Sequence, residues 1–78
     1  MSLELQDELA VLADLVSVED AEALHEWLSR TPLARVDLSA LRHLHTACLQ
    51  VLMAARAPIA EWPRDTDIHA WLRAALTH

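Results

Sequence analysis

The 78-residue sequence has no glycine, no lysine, no phenylalanine and no tyrosine, and a single cysteine. Each absence removes a class of chemistry. Without glycine, the loops that bring backbone against a phosphate cannot be built, which excludes the dinucleotide and nucleotide fingerprints. Without lysine there is neither a P-loop amine nor a Schiff-base nucleophile. The lone Cys48 excludes an internal disulfide framework and fits a reducing, cytoplasmic compartment. No Arg or Lys precedes Arg30, which argues against a secretory leader. Asp14, Gln50 and Arg56 interrupt the apolar runs far short of the ~20 residues that span a bilayer, so no direct membrane insertion is expected.

What is present is a dense apolar content, 54% of residues, enough to give one small domain over residues 1–78 a core and to argue against disorder. The charge is unevenly placed. Residues 1–26 carry eight acids and no Arg or Lys, whereas residues 27–78 carry four acids and six arginines, for a net charge of −6. The arginines at 30, 35, 42, 56, 64 and 73 are scattered singly, with no basic stripe to track phosphates, so nucleic acid is not an expected partner.

Three helices are legible. Ile68, Trp71, Leu72, Ala75 and Leu76 follow the i, i+3, i+4 rule behind the caps of Asp65, Thr66 and Asp67. Ala21, Leu24, Trp27 and Leu28 form a second stripe behind Ser17-Val18-Glu19-Asp20, a capping box with Asp in place of Glu. Residues 47–56 are apolar nearly all round, which predicts burial on more than one side. Residues 34–38 and 59–62 alternate apolar with polar side chains and read as strands.

The N-terminus fits either type of element. Leu5, Leu9, Leu12 and Val16 would make a helical stripe. Leu3 and Leu5, then Leu9, Val11, Ala13 and Leu15, alternate as two strands about a turn at Asp7-Glu8. Topology favours the strands, since two lone short strands make a poor sheet. The expectation is an α/β fold, a mixed sheet of an N-terminal hairpin plus parallel strands packed against helices.

The run Val36-Asp37-Leu38-Ser39-Ala40-Leu41-Arg42-His43-Leu44-His45-Thr46-Ala47-Cys48-Leu49-Gln50-Val51-Leu52 resembles the signature of the STAS domain. That family includes anti-sigma factor antagonists and the small STAS subunits of ABC transporters. Its motif runs from Asp-Leu-Ser at a strand end, through a short turn, to Asp-Ser/Thr-x-Gly-Leu at a helix start. Asp37-Leu38-Ser39, Thr46, Leu49 and Leu52 fall on that pattern, and Ala21-Glu22-Ala23-Leu24 resembles the first family helix. The likeness covers most of residues 10–76 at low identity. His45 stands where the motif has Asp, and Cys48 where it has Gly.

The resemblance implies a STAS-like fold and a non-enzymatic protein-interaction module without a cofactor. The module would be a switch or adaptor that binds a kinase or anti-sigma factor through the turn and helix start at residues 42–50. Thr46 matches the hydroxyl position to which, in anti-sigma factor antagonists, a partner kinase adds phosphate. Arg42, His43, His45, Thr46 and Gln50 would form the partner-binding face. The same likeness allows a constitutive subunit docked on an ABC ATPase, and a structural homodimer is a further possibility.

Each of these residues also has a plainer reading. Thr46 is placed to cap the helix that follows it. His43, His45 and Cys48, with His25 as a fourth donor, are candidate metal ligands. Zinc sites show paired short spacings, however, and only one is present here, so Cys48 is expected as a small buried apolar residue. No carboxylate pair is placed for acid–base work, and Ser39 lacks a nucleophile elbow.

Overall fold

The computed structural model describes residues 2–77. The chain begins with a hairpin, β1 (Leu3–Gln6) and β2 (Leu9–Leu12), turning at Asp7-Glu8. Asp7 sits at φ 51°, in the left-handed region that Asp tolerates better than most residues. Then come β3 (Asp14–Val16), α1 (Val18–Ser29), β4 (Arg35–Asp37), β5 (Leu41–Leu44), α2 (Thr46–Ala55), β6 (Ile59–Glu61) and α3 (Thr66–Leu76). This is a small α/β fold with a mixed sheet packed against three helices.

The sheet runs in the order β1-β2-β4-β6, with β1 antiparallel to β2 and the remaining pairs parallel. Its registers place Leu3 opposite Leu12, Ala10 beside Val36, and Val36 beside Ile59. Leu3, Ala10, Leu12 and Val36 are buried in one core with Leu24, Trp27 and Leu28 of α1, Leu49 and Leu52 of α2, and Ile68 and Leu72 of α3. The residues alternating with them, Glu4, Gln6 and Arg35, are exposed. One face of the sheet therefore carries the helices.

The parallel pair continues past this sheet after a break in both strands. Asp14 adopts φ 56°, kinking the chain between β2 and β3. Opposite it, the Asp37 carboxylate accepts the Ser39 N–H at 2.8 Å, and the Leu41 N–H closes a turn onto the Leu38 carbonyl at 3.0 Å. The Asp14 N–H is donated to the Ala40 carbonyl at 2.9 Å, tying the two breaks together. Beyond them β3 and β5 pair in parallel as a separate two-stranded ribbon.

Several sequence expectations are corrected here. The face containing Leu9, Val11, Ala13 and Leu15 is not the core face of the second strand. Ala10, Leu12 and Val16 are buried instead, and Leu15 is 62% exposed. The hairpin register puts Leu3 and Leu12 on one face, and the Asp14 kink restarts the alternation. Residues 41–44, read as part of a turn, form a strand because β3 offers them a parallel partner.

The helix 47–56 spans Thr46–Ala55 and buries one face, Cys48, Leu49 and Leu52, leaving Met53, Ala54 and Ala55 exposed. Alanine and methionine there serve helix propensity rather than packing. Trp71 also departs from its stripe and is 47% exposed. The α3 face that reaches the core is centred on Ile68 and Leu72. The strands are shorter than read, β4 covering 35–37 within 34–38 and β6 covering 59–61 without Trp62.

Candidate functional site

The ends of β3 and β5 feed directly into α1 and α2, so the β3–β5 ribbon brings two helix starts to one end of the molecule. The His45 N–H is donated to the Val16 carbonyl at 3.0 Å, and the Cys48 thiol to the Ser17 carbonyl at 3.1 Å. These bonds lock the start of α2 against the start of α1. In α1, Ser17 is the N-cap and Asp20 completes its capping box, accepting the Ser17 N–H at 3.3 Å. The Asp20 carboxylate also accepts the Ser2 hydroxyl at 3.1 Å.

The cap of α2 is not Thr46. His45 is the N-cap, and its Nδ1 accepts the Ala47 N–H at 3.0 Å. An imidazole thus replaces the hydroxyl cap expected from sequence. Thr46 is the first helical residue, and it is exposed. α2 has no acid in its first turn, whereas α1 has Glu19 and Asp20 and α3 has Asp67. The partial positive charge at the start of α2 is therefore not offset by a carboxylate of its own first turn.

Register accounts for the orientation of Arg42 and His43. Asp14 pairs with Leu41, and Leu15 pairs with His43, so Arg42 is the extra residue of a β-bulge. A bulge re-aims side chains, and two consecutive residues, Arg42 and His43, face outward between the buried Leu41 and Leu44. Gln50 lies one turn beyond Thr46 on α2 and is exposed. Arg42, His43, His45, Thr46 and Gln50 are thus all exposed on β5 and the first turns of α2.

Sequence reasoning missed two members of this end of the molecule. Leu15, whose register partner is His43, is 62% exposed, and Val18, at the first position of α1, is 53% exposed. The available signal was Asp14: an acid inside an otherwise apolar run, of a residue type enriched at positive φ, marks where alternation restarts.

Cys48 is fully buried. Burial first, and the negative charge of Asp20 second, push its thiol above the ordinary range, so it stays a neutral donor to Ser17 rather than a nucleophile or metal ligand. His25, His43 and His45 are exposed, and among the described residues no three His, Cys, Asp or Glu side chains gather to hold a metal ion. The metal candidates His43, His45 and Cys48 do not converge. Among the described residues, no helix is long and apolar enough to cross a membrane.

Comparison with known proteins finds no matching family model and no matching curated protein.

Proposed function

We propose that this chain is a STAS-like, non-enzymatic protein-interaction module. It docks a signalling partner, a kinase or an anti-sigma factor, through the face formed by Arg42, His43, His45, Thr46 and Gln50, with Leu15 and Val18 as its apolar part. The observation that carries the reading is the setting of Thr46: exposed at the first position of α2, two residues after the strand β5 that turns Arg42 and His43 outward. A phosphate on the Thr46 hydroxyl would stand exposed at the start of α2. It would add nearly two negative charges to a surface that a partner must desolvate.

The test is a calorimetric titration of the co-purified partner into the wild type, Thr46→Ala and Thr46→Glu. Thr46→Ala is expected to bind within about twofold of wild type, and Thr46→Glu at least about tenfold more weakly, through the cost of desolvating the added carboxylate at the interface. Equal binding by the Ala and Glu variants reduces Thr46 to a surface residue. Co-purification of a transport ATPase whose binding ignores both variants replaces the switch with a constitutive subunit.

A further inference from the structure

We infer that the partner segment covering this face is basic around an apolar anchor, the anchor seating on Leu15 and Val18 and Arg or Lys side chains engaging Asp14, Glu19 and Glu22. This deepens the proposed docking role and rests on it. Among the described residues, Leu15 and Val18 are two of the five large hydrophobic side chains left exposed, and they lie three residues apart at the β3–α1 junction. Side chains this exposed gain from being covered, by roughly 25 cal/mol per Å² of apolar surface removed from water. Their flank on the α1 side is acidic. Asp14 and Glu19 adjoin them in the chain, Glu22 lies one helical turn beyond Val18, and all three are exposed.

Among the described residues, none of those acids is ion-paired. No Arg or Lys occurs before Arg30, and among the described residues the one ion pair, Glu26–Arg30, lies at the far end of α1. Asp20 differs, being engaged in the α1 capping box. A partner that covers Leu15 and Val18 must desolvate some of these carboxylates, which is unfavourable unless it supplies cations in their place. A second copy of the chain does not fit this need, since it brings another −6. On the opposite flank Arg42 and His43 border Leu15 across the β3–β5 pairing. They orient the segment, with its basic residues on the α1 side of the anchor.

The test uses the full chain and synthetic 12-residue peptides that carry one central Leu flanked by Lys/Arg, by Ser or by Glu, followed by amide chemical shifts. The Lys/Arg-flanked peptide is expected to shift residues 14–22 and 42–46. It should bind about tenfold or more tightly than the Ser-flanked peptide, and weaken when NaCl is raised from about 50 to 500 mM. Glu19→Gln/Glu22→Gln should remove most of that advantage, and Leu15→Ser/Val18→Ser should abolish the localised shifts.

Binding at this face that is indifferent to flanking charge overturns the basic-partner inference and leaves the docking role standing. Shifts that also cover Asp7 and Glu8 and survive Leu15→Ser/Val18→Ser mean diffuse attraction to an acidic protein, and overturn the inference. No binding at millimolar peptide, or binding elsewhere on the molecule, overturns both readings. Self-association at this face in sedimentation shows that a second copy covers it, and overturns the inference.

Discussion

The parallel strand pair has two halves that both reach the core but differ at their central pairs. In the β2–β4 half, the neighbours Ala10 and Val36 are both fully buried under the helices. In the β3–β5 half, the neighbours Leu15 and His43 are both exposed. Composition does not separate them, since each half carries apolar residues at similar density. What separates them is backbone. The left-handed Asp14 and the turn at Ser39-Ala40 restart alternation, and the Arg42 bulge turns an additional side chain outward. The first half holds the fold together. The second turns Leu15, Arg42 and His43 to solvent while Val16, Leu41 and Leu44 stay in the core.

The largest expected effect sets the core against the exposed pair of the second half. Leu52, buried in the core shared with Ala10 and Val36, is expected to cost about 2–5 kcal/mol when changed to Ala, whereas Leu15→Ala should stay within about 0.5 kcal/mol. Urea denaturation of both variants measures the contrast, and near-equal losses would erase the distinction between the halves.

Next in size is the kink that divides them. Asp14→Val places a β-branched residue at φ 56° and should destabilise by about 1–2 kcal/mol, while Asp14→Gly should be neutral or stabilising. If Val is tolerated as well as Gly, the kink is not what splits the sheet.

Smaller still is the α2 cap. His45→Ala should cost about 1 kcal/mol, as lost helix caps do, and Thr46→Ala should fall within about 0.5 kcal/mol. The reverse order in thermal melts would restore Thr46 as the cap.

The last contrast is one of pH. The thiol of Cys48 is raised in the fold, so the folded state holds its proton more tightly than the unfolded chain does. The stabilisation is complete below the unfolded value and is lost as pH rises through the higher folded one. Above pH 9.0, the ordinary value, wild type should therefore lose stability more steeply than Cys48→Ala. Parallel pH profiles for the two would show that the thiol does not stay buried.

Much of this was legible beforehand, element by element. The α1 box at Ser17–Asp20, the α3 cap at Asp65 and the core residues Leu24, Val36, Leu49, Leu52 and Leu72 all follow from local chemistry. Arg42 was read into a turn and lies within β5, whereas the position of Thr46 at a helix start followed from motif spacing. Leu15 and Val18 did not, because alternation was counted through Asp14 as though the strand were unbroken. The His45 cap was also hidden, since imidazole is not among the common capping groups.

What the sequence by itself determined is whatever depends on near neighbours: helix periodicity, caps, turns, the acid-rich first third and the chemistry that missing glycine and lysine exclude. Only the tertiary structure decided which apolar residues stay in water. Whether Leu15, Val18 and Trp71 are buried depends on the register of β3 on β5 and on which faces α1 and α3 turn inward. Those are set by partners distant in the chain, since one shifted residue in a strand carries its side chains to the opposite face.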